Sequence, residues 1–162
     1  MLFTGRMTLL SIMEKEVIIL FSSLQVTSSL QDYLEVILNL LKEKKTARVT
    51  DIADRLNIAK PSVIQALTLL KEKGLIKQDP YGPVELTEEG RRYALKIRHR
   101  HKVIYGFLTQ VLGVSPVAAE KDACLMEHDL SKESFERLLE YLQEQKIDAG
   151  LKKEIDWIDE SL

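Results

Sequence analysis

The sequence predicts a mainly α-helical chain in which a winged helix-turn-helix is joined by a long helix to a further group of helices. Three observations predict it. Apolar residues recur at three- and four-residue spacing from Ser29 onward, two short helical segments are parted by a tight turn, and a Pro/Gly-rich hairpin follows them directly.

The elements follow in order. Leu30, Leu34, Ile37, Leu38 and Leu41 mark an amphipathic helix over Ser29–Lys44, with Lys42, Lys44 and Lys45 at its C-terminal end, where positive charge suits the helix dipole. A short helix over Thr50–Leu56 is expected next, with Thr50 as N-cap and Asn57 as a left-handed stop. Pro61 suits a first helical turn, so a third helix is expected from Pro61 to Lys73, ending at Gly74. The stretch Leu75–Leu86 reads as two short strands around the tip Pro80-Tyr81-Gly82-Pro83. Thr87 then caps a long helix reaching about Leu112 and closed by Gly113. Ser115-Pro116 opens a helix to about Leu130, and Ser131 caps another through Gln145.

Composition sets limits. The 162 residues are 45% hydrophobic and 30% charged, a profile of folded globular chains with little room for disorder. The single cysteine, Cys124, excludes an intramolecular disulfide and suits a reducing cytoplasm. The net charge of −2 hides an asymmetry: residues 1–105 carry 17 Lys+Arg against 12 Asp+Glu, and residues 106–162 carry 6 against 13. Nucleic acid, if bound, is therefore expected to meet the front of the chain. No apolar run is long enough to span a membrane. Near the N-terminus, Leu9–Met13 and Val17–Phe21 are split by Glu14-Lys15-Glu16, which does not fit a signal peptide. An added leader element, or a true start at Met13, accounts for it.

The start of the third helix carries Lys60, Pro61, Ser62 and Gln65 outward while Val63, Ala66, Leu67 and Leu70 form its packing face. In a helix-turn-helix the second helix enters the major groove, where lysine suits phosphate or guanine and glutamine pairs with adenine's edge. Arg48, Thr50 and Lys77 are placed for phosphates, and Tyr81 with Gly82 forms the wing tip.

A second constellation carries metal-ligand chemistry. Asp32 and Glu35 share one face of the first helix. His101 falls on the buried side of the long helix, with Ala94, Ile97, Ile104, Leu108 and Val111, whereas His99 is rotated away. Cys124, Glu127 and His128 sit at i, i+3 and i+4 of the next helix, and Glu120 extends their line by one turn. Thiolate, imidazole and carboxylates on three helices predict a transition-metal site.

With these residues in place, the chain resembles the diphtheria-toxin-repressor/manganese-transport-regulator family over Ser29 to Gln145. The resemblance rests on Asp32-Tyr33-Leu34-Glu35, Ala47 to Ala53, Lys60-Pro61-Ser62-Val63, Val84 to Gly90, Arg100-His101 and, most specifically, Cys124 to Ser131. It implies a winged-helix DNA-binding domain (29–90), a helical metal-binding and dimerisation domain (91–146), an N-terminal extension (1–28) and a short tail (147–162) in place of an SH3-like domain. It also implies a homodimer on palindromic double-stranded operator DNA that controls metal homeostasis genes, without an organic cofactor. Asp32, Glu35 and His101 match the manganese branch, Cys124 matches the iron branch, and Glu127 and His128 fit both. Two ancillary ligand positions of the iron branch hold Tyr105 and Glu120 instead. The implied ion is Fe²⁺ or Mn²⁺, with Co²⁺, Ni²⁺ or Zn²⁺ able to bind in vitro. Metal bridging the DNA-binding and dimerisation domains would fix the spacing of the recognition helices, and acid would weaken the response by protonating His and Cys. Two rivals stand beside this reading: a winged-helix regulator answering to an organic effector or to Cys124 oxidation, and a metalloenzyme built on the Cys/His/Glu cluster. The second lacks a Gly-rich loop or a nucleophile–base arrangement, so no enzyme activity is expected.

Overall fold

The computed structural model describes residues 26–147, so the expected N-terminal extension (save Val26, Thr27 and Ser28) and the tail beyond Ile147 lie outside the described residues. Helix α1 spans Ser28–Lys44, α2 Val49–Leu56 and α3 Lys60–Glu72. Strands β1 (Ile76–Gln78) and β2 (Val84–Leu86) pair antiparallel, Ile76 opposite Leu86 and Gln78 opposite Val84. Helix α4 (Glu88–Gly106) runs into a π-helical turn, Phe107–Val111, and is followed by α5 (Pro116–Asp129) and α6 (Lys132–Glu144). The chain divides after Ala94, within α4, into two compact units.

In the first unit the helical periodicity becomes a core of Leu34, Ile37, Leu38, Ile52, Val63, Leu67, Leu70, Leu75 and Val84, all buried. Thr27 caps α1, its hydroxyl accepting from the Leu30 N–H at 3.4 Å, and Lys45 in left-handed conformation ends it. Thr50 is not the cap of α2. The N-cap is Arg48, whose backbone N–H is taken by the Asp51 carboxylate at 3.2 Å, so the helix opens one residue earlier and Thr50 falls in its first turn. An acid at the third helical position reaches back to the N–H of the N-cap residue, whereas a capping Thr50 hydroxyl would have accepted from an N–H further along the helix. Asn57 (φ 53°) ends α2 as expected.

The hairpin is held from two sides. The Val84 N–H donates to the Ala47 carbonyl at 2.7 Å, tying β2 to the segment before α2. Thr87 donates its hydroxyl to the Gly74 carbonyl at 2.7 Å and accepts from the Gly90 N–H at 3.0 Å, so one side chain joins the end of α3 to the start of α4. Gly90 is needed for this approach, because a Cβ there would lie 1.8 Å from the Leu75 carbonyl oxygen. At the tip, Tyr81 takes φ 62° and is fully exposed.

The second unit packs Ile104 and Leu108 against Ala119 and Ala123 of α5, and Val103 against Leu142 of α6. Ser115 and Ser131 cap α5 and α6 by accepting from Ala118 and Ser134 N–H groups. The long helix does not stay α-helical to Leu112. The Thr109 hydroxyl takes the Tyr105 carbonyl at 2.9 Å, and the ladder widens so that the Leu112 N–H reaches Phe107, five residues back, at 3.2 Å.

Gly90→Ala is expected to cost about 3 kcal/mol, since backbone must move to admit the methyl. Gly113→Ala, strained only by its positive φ, is expected to cost about 1 kcal/mol. Urea unfolding of the two variants checks this, and equal losses would contradict the close-approach argument.

Candidate metal centre and nucleic-acid face

Helices α4 and α5 place the second-unit ligand candidates. Ala119 and Ala123 are fully buried, and their small side chains let α5 lie close on Ile104 and Leu108. One helical turn beyond Ala123, Glu127 takes the same inward direction, and it is the buried charged residue of the described chain. Cys124, at i−3 from Glu127, is exposed.

These side chains converge on His101. Its Nδ1 lies 2.9 Å from Glu127 Oε2 and 3.8 Å from Cys124 Sγ, while its Nε2 lies 3.3 Å from Glu120 Oε2. The other Glu127 oxygen is 3.4 Å from His128 Nε2. His101, Glu120 and Cys124 each offer a ligand atom within 4.8 Å of the others. Of the residues singled out in the sequence, His101, Cys124, Glu127 and His128 are thus gathered in one cluster, and Glu120 joins it. Asp32, exposed, and Glu35, half-buried, stand one turn apart on α1 of the first unit. The α3 face is laid out as its periodicity implies: Lys60, Pro61, Ser62 and Gln65 are exposed, Val63, Ala66, Leu67 and Leu70 buried. Arg48, Thr50 and Tyr81 are exposed beside it in the same unit.

Comparison with known proteins agrees with this arrangement. Residues 25–84 match the N-terminal DNA-binding domain of iron-dependent repressors, and residues 87–154 match the metal-binding and dimerisation domain of the same proteins. The chain is 42% identical over 107 residues to the transcriptional regulator MntR of Escherichia coli O6:H1, covering 66% of this chain and 68% of that one. The chain belongs to the iron-dependent repressor family. An HTH-type transcriptional regulator of Methanocaldococcus jannaschii is 36% identical, over 74% of this chain and 97% of its own length. Among solved structures, a manganese-dependent transcriptional repressor in complex with manganese superposes with a TM-score of 0.65 at 29% identity. The match covers 70% of this chain and 52% of that one. The IdeR protein of T. acidophilum gives 0.62 at 26% identity, again over about half of its length (53%).

In this member of the family, the electrostatics of the cluster centre on one proton. The hydrogen bond that His101 donates to the Glu127 carboxylate raises its pKa to about 9, against the opposing effect of burial, with further help from the charge of Glu127 and from Glu120. Without metal, His101 is therefore an imidazolium at neutral pH, sandwiched between carboxylates. Imidazole must be neutral to ligate, so an ion held by His101 would have to displace that proton.

Arg100 is the residue that sequence reasoning passed over except as part of a motif. Its Nε donates to the Glu127 carbonyl at 2.9 Å and its Nη2 to the Leu130 carbonyl at 2.6 Å, closing the C-terminal end of α5. The guanidinium also lies 4.8 Å above the Phe135 ring. Burial lowers its pKa, partly offset by Glu127. Its position next to His101 was the signal in the sequence, and its carbonyl partners left no further mark there.

Three outcomes are expected. Because the folded His101 pKa lies above its unfolded value near 6.5, its contribution to metal-free stability is complete below about pH 6.5 and is lost as pH rises through about 9. Glu127→Gln should flatten that part of the profile of melting temperature against pH, and an unchanged profile would contradict the pairing. Loss of the His101 proton alone should make metal affinity climb about tenfold per pH unit below about pH 9, and loss of the Cys124 thiol proton on ligation can only steepen that slope. Arg100→Lys, which cannot span both carbonyls with one fork, should weaken metal binding at least about tenfold in calorimetry at fixed pH. Undiminished affinity would reduce Arg100 to a packing residue.

Proposed function

We propose that this chain is a repressor activated by Mn²⁺ or Fe²⁺ that binds palindromic operator DNA as a homodimer and controls metal homeostasis genes. The observation that carries this is the buried Glu127 carboxylate between two imidazoles, with a thiol beside them, in a chain whose other unit presents an exposed helix-turn-helix face.

The donor set fits a divalent ion. Carboxylate oxygen, imidazole nitrogen and thiol sulfur face one another over hydrogen-bond distances, and Glu127 has both oxygens on imidazole nitrogens rather than on a lysine or arginine. His101, Cys124, Glu127 and His128 would hold the ion, with Glu120 at the exposed side. The ion supplies a positive charge that replaces the His101 proton and compensates the carboxylates. Glu127 fixes the orientation of both imidazoles, and Arg100 fixes the helix end from which Glu127 projects. Carboxylates favour Mn²⁺ and Fe²⁺, and the thiol adds tolerance for Co²⁺, Ni²⁺ or Zn²⁺ in the test tube.

On the DNA side, Lys60, Pro61, Ser62 and Gln65 meet base edges or adjacent phosphates from α3, while Arg48 and Thr50 at the start of α2 contact the backbone. Tyr81, carried outward at the wing tip, reaches the flanking strand. Pairing of two copies supplies the second half-site, and Leu112, Val117 and Leu125, exposed apolar residues of the second unit, support self-association. The regulator acts in the cytoplasm, where Cys124 stays reduced, and no helix among the described residues is long and apolar enough to cross a membrane.

Glu127→Ala should bind operator-bearing DNA at the metal-free level whether or not Mn²⁺ or Fe²⁺ is present, while the parent chain gains affinity with metal and loses it to chelator. Fluorescence anisotropy at stated salt reads the difference. Metal dependence that survives Glu127→Ala would overturn the assignment.

A further inference from the structure

Ile64 is the outlier of α3. At 54% exposure it is a large apolar side chain on a helix whose Val63, Leu67 and Leu70 are buried. At 100° per residue, Pro61, Gln65 and Thr68 point away from the buried stripe, and Ile64 lies on the flank between Gln65 and Lys71. Ile64 also lines a cleft of about 310 Å³ together with Gln78, Asp79, Pro80 and Tyr81 of the wing. The Thr68 hydroxyl donates to the Ile64 carbonyl at 2.9 Å, and a β-branched side chain in a helix keeps essentially one rotamer. The apolar surface is therefore both exposed and fixed in direction.

The charge around it selects the occupant. Lys60 and Lys71 flank Ile64 on the same helix, Lys77 lies on β1 and Arg48 at the start of α2, all exposed, against one carboxylate, Asp79, in the cleft lining; this excess of positive charge suits a polyanion rather than an apolar peptide or a lipid. The apolar group on a base edge in the major groove is the C5-methyl of thymine, and it borders the edge at which glutamine recognises adenine.

We propose that Ile64 reads a thymine methyl beside the base pair engaged by Gln65, so that α3 is selective for an A·T-containing step. This rests on the DNA-binding reading given above and assigns a specificity-determining residue to it.

The test uses the full chain with MnCl₂ and duplexes it recovers from a randomised DNA pool. Each thymine of the recovered half-site is replaced by deoxyuridine, which removes the methyl and nothing else. At one position at least, the parent chain should lose about fourfold in affinity, the value of one buried methyl-sized group. Ile64→Ala should bind the thymine and uracil duplexes alike, and Leu69→Ala, an exposed apolar residue on the opposite flank, should keep the parent's discrimination. If no thymine discriminates, or if Ile64→Ala discriminates as the parent does, the proposal is overturned with DNA binding intact. An equal loss on both duplexes from Ile64→Ala, with discrimination retained, assigns the side chain to packing and overturns it likewise. Recovery of no duplex would sink the repressor reading itself, and this assignment with it.

Discussion

A carboxylate taken out of water must be compensated, and Glu127 is the residue through which this requirement shapes the second unit. Its two oxygens are met by His101 and His128, its backbone carbonyl by Arg100. Desolvating a carboxylate costs several kcal/mol unless partners restore the lost hydrogen bonds. The arrangement that restores them needs α5 close to α4, which the buried alanines 119 and 123 allow. It also needs the end of α5 held in place, which Arg100 does by occupying the carbonyls of Glu127 and Leu130. Packing, helix termination and ligand geometry are thus one problem with one solution. The raised His101 pKa follows from it, because a proton is the charge that balances Glu127 when no metal does.

The first unit answers to a different constraint, the direction of α3. Its buried stripe sets the rotation of the helix, and the contacts at its C-terminal end set where the hairpin leaves. Thr87 on Gly74, and Gly90 against Leu75, fix that exit. Val84 bonded to Ala47 fixes the return. The wing tip therefore stands where Tyr81 is wholly exposed, a position that costs apolar hydration unless a partner covers it.

Most of this architecture was legible in the sequence because it depends on local chemistry. Ser115, Ser131 and Thr87 announce helix starts by hydroxyl capping, and Asn57, Gly74 and Gly113 announce stops by tolerating positive φ. The stripe logic that placed His101 on the buried side of its helix, and Glu127 on one face with Cys124 and His128, works because helix periodicity is independent of what lies opposite; that Glu127 is buried while Cys124 is exposed depends on the packing of α5 against α4. Where the reading departed from the structure, competition decided. Thr50 carries a capping hydroxyl, but the helix starts one residue before it, with the Asp51 carboxylate reaching back to the Arg48 N–H. The π-helical turn at Phe107–Val111 contains a Thr109 hydroxyl bonded back to Tyr105, but the same bond from Thr68 to Ile64 leaves α3 regular, so no local residue choice in the sequence announces the break. Arg100 was hidden because its partners are carbonyls, which every residue carries.

The cluster also has an inner and an outer side, and this bears on how it discriminates among ions. Glu127, His101 and His128 are buried or nearly so, held by packing and by one another. Cys124 and Glu120 are exposed. If the cluster holds an ion as proposed, an inner pair of imidazoles with a hard carboxylate would accept divalent first-row ions in an order of affinity that rises toward copper whatever the protein does. Discrimination would then come from the outer side, where a soft thiol and a hard carboxylate stand one helical turn apart and both face His101. An ion that prefers oxygen would draw on Glu120, and one that prefers sulfur on Cys124. Occupancy alone would not define the active state on this reading, since an effector shifts an equilibrium only by its preference for one arrangement over the other.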